Sequence, residues 1–243
     1  MKRFVCLLVT LFLLTLTVTA NASLYGDTAT GSDLIDQRTF DAASYNPSSS
    51  EGGLGGFWPF SFNISWNVSQ DINTNLWTFE YTLSATRKDV SHFIIEVSDG
   101  AAQDDFPQLS ANGVPLSFAG EDSKLEGPAH WGINQGNSNP GYPSSKEIYG
   151  IKFDTGELST TYQLSTYRSP VWGNFYTKGG NHKGQFVHAY NNALAVDNFD
   201  SDEKIDFIVR PNGTPIVPEP GSVVLFLTGS AALGSRFFIK RKK

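Results

Sequence analysis

Ser61–Ser69 reads S-F-N-I-S-W-N-V-S, and Leu76–Leu83 reads L-W-T-F-E-Y-T-L. In the first run Phe62, Ile64, Trp66 and Val68 alternate with polar residues; in the second, Trp77, Phe79, Tyr81 and Leu83 occupy alternate positions. A period of two places each apolar set on one face of an extended strand. The D-I-N-T-N between them, Asp71–Asn75, is turn chemistry, so the two runs predict an antiparallel hairpin with one buried face.

Working outward, the same period recurs. Ser91–Ser98 points Phe93, Ile95 and Val97 one way. Further strands are expected at Val114–Phe118, Ile148–Asp154, Thr160–Thr166, Val171–Thr177, Gln185–Tyr190 and Ile205–Arg210. No window ahead of the C-terminal run has a helical period. About nine short strands separated by Gly, Pro, Asn and Asp predict an all-β fold, a single β-sandwich over residues 57–214. Residues 23–56 are rich in Ser, Gly, Asp and Asn. They are expected to wrap loosely or to add one edge strand near Leu34 and Ile35, with the glycine-rich end acting as a flexible connector.

Both ends carry delivery chemistry. Residues 1–22 read as a secretory signal peptide: Lys2 and Arg3, an apolar run from Phe4 to Thr19, then Ala20-Asn21-Ala22 before a cut at Ser23. The one cysteine, Cys6, lies inside that peptide, so the rest of the chain has neither a disulfide nor a thiolate nucleophile. Its core must hold it together unaided. Residues 215–243 combine Pro218-Glu219-Pro220, an apolar run from Gly221 to Ile239, and the cations Arg236, Lys240, Arg241, Lys242 and Lys243. The prolines keep the chain extended ahead of the run. The run is long enough for one transmembrane helix if Arg236 snorkels, and terminal cations favour the cytoplasmic side.

This order of Pro-Glu-Pro, apolar helix and basic cluster resembles the C-terminal sorting signal of the PEP-CTERM proteins of Gram-negative bacteria. The resemblance implies an exported protein, anchored in the inner membrane with its ectodomain outward. It implies recognition by an exosortase, a cysteine transpeptidase-like membrane enzyme that acts near the motif, and then release to the cell surface or beyond. It also implies a setting of exopolysaccharide and biofilm. The runs Ser91–Ser98, Ile148–Phe153 and Ser169–Gly180 are similar to a β-rich ectodomain found ahead of such signals, a domain type without an assigned activity.

Charge narrows the function further. Residues 23–235 hold 11 Lys and Arg against all 24 acids, a formal charge of −13. Nucleic-acid binding wants a basic face, which this composition does not supply. No G-x-S-x-G is present, and among 24 acids no glycosidase pair can be selected. No catalytic residue or cofactor is assigned, and the chain reads as non-enzymatic, with a glycan-active enzyme or a carbohydrate-binding module as the alternative. The four histidines (His92, His130, His182 and His188) lack zinc-ligand spacing. Asp197, Asp200 and Asp202 are the best calcium candidates, although the run lacks the glycine and spaced Glu of an EF-hand loop and a solvated turn is the preferred reading. Exposed rings stack on sugars, so Trp131 and Tyr142, in a polar loop, and Trp172 and Tyr176, on one face of an expected strand, are the candidate glycan contacts.

Overall fold

The computed structural model describes residues 24–40, 53–119, 123–133, 139–143, 147–195 and 203–215. The signal-cleavage residues Ala20, Ala22 and Ser23 lie outside these. So do Pro218, Glu219 and Pro220, the apolar run with Arg236, Lys240, Arg241, Lys242 and Lys243, and the candidates Asp197, Asp200 and Asp202. Among the described residues no helix is long and apolar enough to cross a membrane.

Among the described residues, fourteen strands carry the fold. They are β1 (Ile35–Phe40), β2 (Leu54–Phe57), β3 (Phe62–Gln70), β4 (Trp77–Ala85), β5 (Val90–Glu96), β6 (Gln108–Ala111) and β7 (Val114–Pro115). After them come β8 (Leu125–Trp131), β9 (Ile148–Glu157), β10 (Ser159–Thr166), β11 (Arg168–Gly173), β12 (Phe175–His182), β13 (Gln185–Asn191) and β14 (Ile208–Pro215). The first sheet runs β1-β3-β4-β10-β6-β7, the second β2-β13-β12-β5-β9-β8, and β11 pairs with β14 as a separate ribbon.

The opening hairpin forms as its period demands. β3 and β4 pair antiparallel from Phe62↔Ala85 to Gln70↔Trp77, and Phe62, Ile64, Trp66, Val68, Phe79, Tyr81 and Leu83 are all buried. The second sheet answers with Phe93, Ile95, Ile151, Phe153 and Phe175. The two layers meet through rings: Phe153 lies 4.9 Å from Tyr162, Phe93 5.1 Å from Tyr162, and Tyr81 5.6 Å from Phe93. Each such side chain contributes roughly 1.5–3 kcal/mol on burial, which is how a β domain without disulfides is held.

Three expectations change in the structure. The glycine-rich stretch before Phe57 is β2, paired with β13. A Cβ on Gly53 would stand 1.8 Å from the Ile205 carbonyl oxygen, one on Gly55 2.5 Å from the Tyr190 ring, and one on Gly56 2.4 Å from the His188 carbonyl oxygen. These glycines serve close approach, not flexibility. Residues around His130 and Trp131, read as loop, form β8 against β9. The strand expected over Val171–Thr177 is two strands that part at Asn174. The buried Glu96 carboxylate accepts the Asn174 N–H at 2.7 Å, and the Asn191 side chain accepts the Phe175 N–H at 2.8 Å. Trp172 therefore leaves with the ribbon, while Tyr176 joins the second sheet.

Candidate functional site

On β5, Phe93 and Ile95 point into the main core, so His92, Ile94 and Glu96 point to the opposite face of the second sheet. Across the strands the register assembles two rows there. One runs Asp154, His92, Lys178, His188; the other runs Glu126, Lys152, Ile94, Tyr176, Tyr190.

The short stretch Asn139–Pro143 crosses this face as a strap. Tyr176 Oη donates to the Pro140 carbonyl at 2.7 Å, Asn139 Nδ2 donates to the Gly132 carbonyl at 3.2 Å, and the Tyr142 ring lies 5.4 Å from Tyr176. At Gly141, with φ of +77°, a Cβ would fall 2.2 Å from the His188 imidazole, so only glycine lets the strap lie this close.

Three of the four candidate glycan contacts meet where the strap crosses the sheet, but as packing. Trp131, Tyr142 and Tyr176 form a second apolar cluster with Ile94, Ile148 and Leu194, and are 8%, 4% and 0% exposed. Trp131 Nε1 donates to the Gly150 carbonyl at 2.9 Å. Trp172, 2% exposed, belongs to the main core instead. None of the four offers a ring face to a sugar. The polar sequence around Trp131 suggested exposure, whereas β8 pairing and the returning strap bury the ring.

At one edge of this face lies an ionic clasp. Lys152 Nζ is 2.6 Å from Glu126 Oε1 and 2.9 Å from Asp154 Oδ2, and the ammonium lies 5.5 Å from the Trp131 ring centroid. Burial opposes the charge on Lys152, but the two carboxylates outweigh it and raise its pKa. Burial and the neighbouring Glu126 raise Asp154. In Glu126 the hydrogen bond from Lys152 overcomes partial burial and lowers the pKa. The ammonium stands between the carboxylates, where the oxygen of a scissile glycosidic bond would have to lie. This pair is a clasp, not an acid–base couple poised on substrate.

Inside the rows, burial first, and then the charges of Lys152 and Lys178, depress His92 to a pKa of about 3; burial likewise lowers His188. Both imidazoles are therefore neutral near pH 7. His182 and His188 face different neighbours across the hairpin, since His182 pairs with Gln185 and His188 with Lys178. Among the described residues no group of three or more His, Cys, Asp or Glu is placed to hold a metal. Asp105 is bound to the buried Arg168.

Toward the β12–β13 turn, cations lie against rings on both faces of the sheet. Arg87 lies 5.5 Å from the Phe60 ring centroid, Phe60 packs edge-on to His182 at 5.1 Å, and Lys178 lies 4.5 Å from the Phe186 ring centroid. Sequence reading missed these contacts because their members come from separate segments. Elsewhere, a cleft of about 660 Å³ opens between the β6–β7 hairpin and the end of β9, and none of its described walls carries an aromatic ring. No protein-family model, curated protein or solved structure matches this chain.

Proposed function

We infer that the chain is an exported, non-enzymatic component of a bacterial cell envelope or extracellular matrix, delivered through a PEP-CTERM-like sorting signal. The observation that carries this reading is the order of Pro218-Glu219-Pro220, the apolar run from Gly221 and the cations from Arg236 to Lys243. A signal peptide at residues 1–22 brings the chain to the membrane, the C-terminal helix holds it there, and an exosortase-type enzyme processes it near Pro218. The β domain then works at the surface or beyond it, in association with exopolysaccharide. An acidic chain with no cysteine after Cys6 suits that setting, since net charge favours solubility and the fold needs no redox partner. The alternative, a glycan-active enzyme or carbohydrate-binding module, has less support. The Glu126–Asp154 pair is filled by Lys152, and the four candidate stacking rings are packed.

Deleting residues 236–243 tests the sorting reading in the native host. The truncated chain is expected to lose processing and to appear in the wrong fraction. Unchanged size and unchanged membrane retention would remove the basis of the reading.

A further inference from the structure

The two sheets have outer faces of opposite kinds. That of the second sheet holds Glu126, Lys152, Asp154 and Lys178 and is crossed by the strap. That of the first sheet is almost without charge. The register that buries Phe62, Ile64, Phe79 and Leu83 turns the alternate residues outward: three on β1, four each on β3, β4 and β10, and two on β6. Fifteen of these seventeen are Ser, Thr, Asn or Gln; the exceptions are Glu80 and, at the β1 edge, Ile35. All but Ser165 are half-buried or exposed. A surface with a quarter or more of its positions charged would put about four charges on such a face. This chain has 24 acids to place, and Glu80 alone stands there.

The outward groups are also held in rows. Gln37, Ser65, Thr82 and Thr161 stand side by side across four strands, with the Thr82 and Thr161 hydroxyls 2.9 Å apart. In the neighbouring rows Asn63 Nδ2 donates to Thr39 Oγ1 at 2.8 Å, the Thr78 and Ser165 hydroxyls are 3.2 Å apart, and Ser110 Oγ donates to Gln163 Oε1 at 3.4 Å. A hydroxyl has one proton and two lone pairs, so a single cross-strand bond leaves each with capacity to spare. Strands about 4.8 Å apart, with same-face residues about 6.7 Å apart along each, make this a lattice of donors and acceptors. The cross-strand bonds fix the side chains beforehand, which lowers the ordering cost of a contact.

We propose that this face docks a neutral polysaccharide, laid across the rows centred on Thr82. Sugar hydroxyls donate and accept as these side chains do, and apart from Glu80 neither partner brings a charge that contact would strip of water. Other partners match the face less well. An acidic polymer or a nucleic acid would meet no cation there and would lie in the field of an acidic chain. A protein interface centres on aromatic residues, Met and Arg and is depleted in Ser, whereas the apolar side chain on these five strands' outer face is Ile35, at the edge. The inference rests on the reading of the chain as an exported protein associated with exopolysaccharide, and it names the class of polymer. The contact is through hydroxyls and amides, so it needs none of the four buried rings that sequence alone had favoured.

The test uses the full chain purified in detergent, with affinity electrophoresis through gels containing hydroxyethylcellulose, galactomannan or polygalacturonate. At least one of the two neutral gels is expected to retard the protein, and polygalacturonate is not. Raising the salt from about 50 to 500 mM should change the retardation less than about twofold, since no ion pair carries it. Thr82→Glu and Thr82→Lys should each lower the affinity at least about fivefold, because either charge would be stripped of water with no counter-ion opposite. Asn67→Lys, at an exposed position of β3, should act in the same direction, whereas Lys183→Glu, on the β12–β13 turn of the other sheet, leaves binding unchanged. Circular dichroism and urea unfolding check that the variants fold. Passage through both neutral gels without retardation would overturn the inference, as would stronger retardation by polygalacturonate or wild-type binding by the folded Thr82 and Asn67 variants. A gain with Thr82→Lys against a loss with Thr82→Glu would do the same, since that pattern belongs to an anionic partner. Cell fractionation separates the two readings. Correct sorting without retardation by a neutral gel sinks only the docking face, and binding by a chain retained in the cytoplasm sinks the export reading.

Discussion

Arg210 of β14 and Glu96 at the end of β5 form a buried ion pair, with Nε 3.5 Å from Oε2 and side chains 4% and 5% exposed. It joins the ribbon to the second sheet. Glu96 also accepts a hydrogen bond from Tyr25 Oη at 2.5 Å and one from the Asn174 N–H, while Arg210 donates to Ser98 Oγ at 2.6 Å. One carboxylate thus holds the N-terminal segment, the parting of β11 from β12, and the last strand.

Glu96→Ala should cost about 3–5 kcal/mol, because it leaves a guanidinium buried without its counter-charge. Replacing Arg210 as well, by Met, should recover part of that loss, since the uncompensated charge goes with it. Urea unfolding of the single and double variants measures the difference.

His92 makes the domain sensitive to acid. Its folded pKa is depressed to about 3 from the ordinary 6.5, so below about pH 6.5 the unfolded chain takes up a proton that the folded one refuses. Stability is complete above that value and falls by about 1.4 kcal/mol per pH unit down to about pH 3 from this group alone. Carboxylates lose stability in the same direction, so the comparison with His92→Gln isolates the histidine. The variant's curve of unfolding free energy against pH should be flatter between 6 and 4.

Glycines divide by surroundings. Gly53→Ala meets the Ile205 carbonyl oxygen and also has a φ of +76°, so it should abolish folding or cost more than about 3 kcal/mol. Gly113→Ala, at a similar φ of +75° with nothing within 4 Å, should cost only about 1 kcal/mol. Thermal melts of the two rank them. Equal, small effects would return residues 53–56 to the status of a flexible connector.

Trp131→Ala should behave as a core lesion, costing about 3–5 kcal/mol, because the ring is buried and its indole N–H is bonded. Trp131→Phe should retain most of that stability. If Trp131→Ala instead leaves stability intact and removes polysaccharide binding, the ring is a contact and the packing account fails.

Much of the β architecture was legible, for reasons visible in particular residues. The alternation from Phe62 to Val68 and from Trp77 to Leu83 became β3 and β4 because one sheet face meets a second layer and the other does not. β6 and β7 were open to sequence reading as well. Asn112 and Gly113, with φ of +50° and +75°, make the tight hairpin turn that an Asn-Gly pair favours, and this turn pairs β6 with β7. β2 was not legible. Glycine next to a packed backbone and glycine in a free linker have the same spelling, and only distant neighbours such as Ile205, 152 residues along the chain from Gly53, distinguish them.

For the candidate site the balance was poorer. Local pattern and composition were enough for a strand period, a chain without disulfides after Cys6, and an excess of acid. A period of two states which residues share a face. It does not state whether a strap such as Asn139–Pro143 will cover that face, so Trp131, Tyr142 and Tyr176 could be read as exposed. It took the three-dimensional packing to show that these rings are buried, that Trp172 and Tyr176 part at Asn174, and that Lys178 lies over Phe186. Burial and charge pairing depend on neighbours that the chain brings from far along its length, and local pattern carries no record of them.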